Sequence, residues 1–218
     1  MDDVRTIMGL RSDVIVRPND TLFTPAAEVS AVSAPPRLLF FGRLAPIKGL
    51  DLLLEALREV QKPLTLDIYG PEEDAAYTER CRSLSQATSP EVEVRFLGPL
   101  PHERVAATVR GYDLMVAPTA SENFGQSIAE GLSVGVPVMV SDVTPWTTVV
   151  QPGAGILVPE RTAESWAASL NDYLDRSTNA RAELKEGALA GFRDWLGHRA
   201  TGGVLSDLEA RVEARQRS

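Results

Sequence analysis

An arginine and a lysine five residues apart, bracketed by two glycines, stand in the segment GRLAPIKG at 42–49. Gly42 and Gly49 permit tight turns and close backbone approach. Arg43 and Lys48 flank a loop that feeds a helix N-terminus, so two cations and a helix dipole meet at one edge, which suits a diphosphate. A solvated loop with ordinary surface charges fits the same residues, and on this segment alone the two readings are even. The glycine spacing matches neither a Walker loop nor a dinucleotide fingerprint. Lys48 is one of three lysines, with Lys62 and Lys185, among 22 basic residues.

A second segment, SENFGQSIAEG, occupies 121–131. Ser121 or Asn123 is placed to cap the following helix, and Gly125 lets its first amides meet a ligand. Glu122 precedes the helix and Glu130 falls in its second turn, so two roles at different depths fit better than a carboxylate dyad. A carboxylate accepts well from vicinal hydroxyls, as on a ribose or a pyranose. Taken alone, a helix-start glutamate plus an exposed glutamate is the modestly better reading, because most charged side chains are simply solvated. YGPEED (69–74) and FLGPLP (96–101) are glycine-turned strand ends whose backbone is consistent with lining a nucleobase pocket. His102 reads as a helix-start cap or surface residue, His198 has no partner pattern, Cys81 has no helper histidine nearby in sequence, and Trp146 reads as packing. No GxSxG, HExxH, CxxC or DxD pattern is present, which leaves serine hydrolase, zincin and metal-diphosphate chemistry without support.

These segments need a scaffold that brings them to one edge. The segments 38–42 (a short apolar run), 65–70 (alternating), 92–98, 113–118, 137–141 and 155–159 read as strands, most closing on glycine or proline. Helical patterns at 49–60, 74–86, 102–111, 122–135 (entered through a loop), 162–177 and 180–196 alternate with them or follow, and 201–215 reads as one more helix. Alternating strands and helices with continuous apolar strands imply an α/β fold with a parallel sheet covered on both faces. Ligands in such folds sit beyond the carboxyl ends of the strands. Residues 1–36 read as a lead-in segment and linker, 37–200 as the α/β domain, and 201–218 as a C-terminal helical segment.

The bulk composition narrows the class. The chain has 218 residues, 44% hydrophobic and 24% charged, with a net charge of −8. Its mean hydropathy is −0.08 and its isoelectric point is near 4.9. That charge argues against nonspecific nucleic-acid binding, so an anionic ligand needs a local positive feature on a negative body. One cysteine and two histidines supply neither a disulfide framework nor a Cys/His zinc site. No apolar run approaches the ~20 residues of a membrane span, the first residues lack a signal-peptide apolar region, and the expected location is the cytoplasm.

Taken together, the segments from RPND (17–20) to LVPE (157–160) resemble the C-terminal, donor-binding half of GT-B fold glycosyltransferases, in particular glycosyltransferase family 4 (group 1). GRLAPIKGLDLLLEAL looks like that family's Gly-Arg…Lys-Gly diphosphate loop, and PTASENFGQSIAEGLSVGVPVMVSD looks like its Glu-x7-Glu motif. The resemblance implies a Rossmann-like, doubly wound parallel sheet of about six strands. It implies that Gly42, Arg43 and Lys48 meet the donor diphosphate, with Arg43, Lys48 and Glu122 catalytic. Glu130 would hold the nucleotide ribose. Glu122, with Asn123, Phe124, Gly125 and Gln126, would hold the sugar of a UDP-, GDP- or ADP-sugar, and residues near Leu97 would contact the base. The family is retaining and metal-independent, so no metal or other cofactor is expected. ENFG with a downstream TPW is similar to members that build bacterial cell-surface polysaccharides.

Two positions depart from the family pattern: Asp20 stands where Pro-Asn-Gly carries glycine, and YGPEED replaces Gly-x-Gly. The family's acceptor-binding half is expected to precede residue 1, with helix 201–215 crossing back to it and peripheral contact with the inner membrane made through it. Without that half the chain should transfer slowly, and an exposed apolar face could support a homodimer. A standalone nucleotide-sugar binding module or partner subunit is the alternative from a different class. A sugar-nucleotide epimerase lacks its signature here.

Overall fold

The computed structural model describes residues 23–199. The first 22 residues of the lead-in segment, RPND among them, and helix 201–215 lie outside the described residues. Six strands form: β1 (Arg37–Phe41), β2 (Leu64–Tyr69), β3 (Val92–Gly98), β4 (Leu114–Ala117), β5 (Val138–Ser141) and β6 (Gly155–Val158). They pair in the order β3-β2-β1-β4-β5-β6, every pair parallel. This is the doubly wound, Rossmann-like sheet that the alternating pattern requires. The helices are α1 (Leu50–Ala56), α2 (Ala75–Ser85), α3 (Val105–Val109), α4 (Gln126–Ser133), α5 (Ala163–Asp175) and α6 (Thr178–Arg199).

Two cores sandwich the sheet, and the period-two alternation of each strand sorts its residues between them. Leu38 and Phe40 of β1 join Leu53 and Leu54 of α1, Cys81 of α2 and Trp166 and Leu170 of α5. Leu39 points the other way, into a core with Val109 of α3, Ile128 and Leu132 of α4 and Phe192 of α6. Strands buried on both faces read as unbroken apolar runs, which is why β1, β4 and β5 are plain in the sequence.

VTPW (143–146) followed by PGAG (152–155) reads in the sequence as a Pro/Gly-rich loop, but the chain there forms a helical turn, Thr147–Val149, running into a wider one, Val150–Ala154. It lies against α6 so closely that a Cβ on Gly187 would stand 2.3 Å from the Gly153 carbonyl oxygen, and one on Gly191 2.9 Å from the Ala154 Cβ. Two glycines four apart on one helix face permit that contact.

Buried charges fasten the sheet from mid-strand toward its amino ends. The Asp67 carboxylate of β2 accepts from Arg95 Nε (2.6 Å) and Nη2 (2.9 Å), from the Tyr112 hydroxyl (2.6 Å) and from Arg37 Nη2 (3.3 Å). Burial pushes its pKa up, but the hydrogen bonds from Arg95 and Tyr112 together outweigh burial and hold it below the usual value. Lys185, buried on α6, donates to the Tyr112 carbonyl (2.7 Å) and to Ser30 Oγ (2.9 Å), and stands 3.9 Å from Asp113. Asp113 in turn accepts from the backbone N–H groups of Arg37 and Ser33.

Because the folded pKa of Asp67 is depressed, its contribution is full above the unfolded value of about 4 and is lost as pH falls through the lower folded value. Asp67→Asn is expected to lower the free energy of urea unfolding at neutral pH by about 1–3 kcal/mol. The difference from wild type should vanish at strongly acidic pH; a difference independent of pH would contradict the network.

Candidate functional site

β1 and β4 are neighbours, yet the chain leaves β1 toward α1 and β2 and leaves β4 toward α4 and β5. A crevice opens between two such diverging connections. The loop 42–49 leaves β1 into it, turning through a 3₁₀ segment, Pro46–Lys48, and ending at Gly49 with φ 70°. A Cβ there would stand 2.3 Å from the Pro118 carbonyl oxygen, so only glycine lets this loop rest on the end of β4. The Ala120 N–H donates to the Ile47 carbonyl (2.8 Å), and Arg161 Nε to the Pro118 carbonyl (3.0 Å), which binds the loops after β1, β4 and β6 together.

That junction brings Lys48 and Glu122 into contact. Lys48 Nζ donates to Glu122 Oε2 at 2.6 Å, with the side chains only 21% and 14% exposed. The ammonium keeps two further donors and the carboxylate a second oxygen, so the pair can engage an anion and a hydroxyl at once. Ser121 and Asn123 do not cap α4, contrary to the expectation from sequence. Gly125 is the N-cap, with φ 78° and ψ 57°, and no side chain accepts from the first turn. The left-handed turn at Gly125 leaves Ser121 and Asn123 upstream of the cap, and the first amides of α4 stay open to a ligand.

The loop before α4 is held from below. Phe124 is buried against Trp146, ring centroids 5.5 Å apart, and Trp146 Nε1 donates to the Phe124 carbonyl. Trp146 in turn lies 4.5 Å from Trp195 and 6.2 Å from Phe192, both on α6. Trp146 is thus a packing residue, as its sequence context suggests, and it fixes the loop that carries Glu122.

A cavity of about 360 Å³ occupies the crevice. Phe41, Gly42, Arg43 and Lys48 line it from the β1 side, Glu122, Gln126, Ser127 and Glu130 from the α4 side, and Gly70, Pro71, Pro99 and Leu100 from the ends of β2 and β3. Glu130 is a buried carboxylate, not an exposed helix residue; burial raises its pKa, opposed by a hydrogen bond from Gln126 and by the charge of His102. It also lines a smaller adjoining cavity of about 220 Å³ with Phe23 and His102. Arg43 is exposed at the mouth and pairs with Glu73. Leu97 is 43% exposed and outside the cavity lining, where Pro99 and Leu100 stand. Asn123 is exposed, and Gly125 is buried beneath Trp146.

Residues 26–190 match the family model described as "Glycosyl transferases group 1". The chain belongs to the group 1 glycosyltransferases. It is 31% identical over 195 residues to the D-inositol 3-phosphate glycosyltransferase of Nocardia farcinica, covering 85% of this chain and 43% of that protein. The chain therefore spans less than half the length of that relative. In fold it is similar to Anabaena HepE, solved in complex with UDP and glucose, with a TM-score of 0.65 and 23% identity over 72% of this chain and 43% of that one. It is also similar to the C-terminal domain of LpcC, a group 1 family protein of Francisella tularensis, with a TM-score of 0.63 and 17% identity over 79% of this chain and 95% of that one.

Two glycines of this group 1 chain should behave differently. At Gly125 an alanine meets the positive φ and stands 3.0 Å from Ile128 Cδ1, whereas at Gly42 a Cβ meets nothing within 4 Å. Gly125→Ala is expected to cost about 1–2 kcal/mol in urea unfolding. Gly42→Ala should stay within about 0.5 kcal/mol of wild type. Equal costs would contradict the cramped turn at α4.

Proposed function

We propose that this chain is the donor-binding half of a retaining, metal-independent glycosyltransferase that takes a hexosyl group from a nucleotide sugar. The observation that carries the reading is the convergence of Arg43, Lys48, Glu122 and Glu130 on one cavity at the β1/β4 crevice. Arg43 and Lys48 face the donor diphosphate and stabilise the negative charge that builds on it as the glycosidic bond breaks; fixed cations serve there without reorganising. The open amides of α4 add to that field. Glu130, deeper in the cavity, accepts from the ribose hydroxyls. Glu122 holds sugar hydroxyls with the oxygen not committed to Lys48, aided by the loop 123–125 and Gln126. The base lies against Pro99 and Leu100, a few residues along from Leu97.

The acceptor binds to the half of the protein that this chain does not match. For the whole protein we assign a role in bacterial cell-surface polysaccharide assembly, from ENFG and TPW. The D-inositol 3-phosphate named for the Nocardia farcinica relative is the competing acceptor, and a transfer assay with the longer protein separates the two. The protein works in the cytoplasm, at the inner membrane surface. Among the described residues no helix is long and apolar enough to cross a membrane, and no group of three or more His, Cys, Asp or Glu is placed to hold a metal ion.

Isothermal titration of the chain with UDP, GDP and ADP in EDTA tests the donor site. Selective binding of one diphosphate is expected, with Glu130→Ala reducing affinity by at least tenfold without lowering the unfolding midpoint. Unchanged affinity in Glu130→Ala would overturn the ribose role. Since the folded pKa of Glu130 is raised, affinity should begin to fall on acidification at a higher pH than an ordinary carboxylate near 4.3 dictates. Glu130→Gln should remove that dependence; a pH profile identical to wild type would assign it elsewhere.

A further inference from the structure

We propose that Glu73 is a built-in competitor for the donor diphosphate, its carboxylate occupying Arg43 in the ligand-free protein and giving way when the diphosphate arrives. The inference rests on the donor-site reading above. Glu73 belongs to the turn Pro71–Asp74 that follows β2, where three acidic residues stand in a row. Its two neighbours are committed away from the cavity. Glu72 accepts from Arg82 Nη2 at 2.5 Å, and Asp74 caps α2 by accepting from the Tyr77 N–H at 2.9 Å. Glu73 pairs with Arg43, at the mouth of the cavity.

The placement is imposed by the backbone. The Leu44 N–H donates to the Pro71 carbonyl at 2.9 Å, and Leu44 and Glu72 form a parallel bridge. Gly70 lies on Gly42 so tightly that a Cβ would stand 1.8 Å from the Gly42 carbonyl oxygen. The residues bearing Arg43 and Glu73 are therefore held side by side, and an anion approaching the guanidinium meets a carboxylate already there. Both partners are about half exposed, so the pair is weak and a multiply charged ligand displaces it. A diphosphate that also engages Lys48 can outcompete it; inorganic phosphate, with fewer contacts, gains less from Arg43. The consequence is selectivity for the diphosphate at the cost of some affinity.

The test is isothermal titration of the whole chain with whichever of UDP, GDP and ADP binds most tightly, across wild type, E73Q, E72Q and R43A. E73Q is expected to tighten binding about two- to fivefold, the scale of an exposed ion pair. E72Q removes the same charge from the adjacent position without freeing Arg43, and should leave affinity unchanged; R43A should weaken it. If E73Q leaves affinity unchanged or weakens it while R43A still weakens it, the competitor role is overturned and the donor site stands. Equal tightening in E72Q and E73Q overturns the role in favour of general charge repulsion. Absence of binding to any diphosphate, or R43A binding as wild type does, overturns the donor-site reading at Arg43 and the competitor with it.

Discussion

Two adjacent parallel strands whose connections leave in opposite directions cannot have the gap between them closed by either connection. In this chain the strands are β1 and β4, and the helices that follow them, α1 and α4, cover opposite faces of the sheet. Everything of chemical interest is arranged around that gap. The loop at 42–49 leaves one strand and the loop at 118–125 leaves the other. The Ile47 carbonyl, accepting from the Ala120 N–H and from the Thr119 hydroxyl, and the close approach of Gly49 to the Pro118 carbonyl fix their separation. A Lys48–Glu122 distance of 2.6 Å follows from that backbone frame.

The electrostatics of the molecule divide along the strand direction. From mid-strand toward the amino ends, Asp67, Asp113 and Lys185 are covered; the carboxylates accept from Arg95, Tyr112 and backbone amides, and Lys185 donates to the Tyr112 carbonyl. Breaking such a network leaves charge buried without a partner, so it resists change and holds the strands in register. At the carboxyl ends the cations are also paired, but the pairs are partly or largely in water and can be exchanged for ligand contacts. The charges are thus buried and fully paired within the sheet and more open to water at Arg43 and Lys48, which lie on a chain whose net charge is −8.

The legible part of the sequence was its periodicity. Unbroken apolar runs marked β1, β4 and β5, since a strand buried on both faces has no polar side, while β2 and β3 showed through alternation and a closing glycine. Glu122, Glu130, Arg43 and Lys48 stood out through the resemblance of their two segments to the group 1 motifs, since the spacing of either pair alone left a solvated reading open. What the sequence concealed were relations between distant segments. Glu130 looked like a solvated glutamate because nothing local states that Phe23 and His102 wall it in. Glu73 was one acid in a row of three, and only the approach of Gly70 to Gly42 distinguishes it from its neighbours. Ser121 and Asn123 carried strong capping preferences that the left-handed turn at Gly125 overrode. The stretch from VTPW to PGAG reads as a loop because the helix it packs on, with glycines at 187 and 191, lies more than thirty residues downstream.

The aromatic layer under the α4 loop has an optical consequence. Of the three tryptophans, Trp166 lies in the core on the far face of the sheet, while Trp146 and Trp195 are 4.5 Å apart beneath Phe124. Two indoles that close and at a fixed tilt couple their electronic transitions, and one of them is hydrogen-bonded to the backbone of the loop that carries Glu122. The chain therefore holds an intrinsic chromophore pair attached to the loop that carries Glu122, with Trp166 as an internal reference that the loop does not touch.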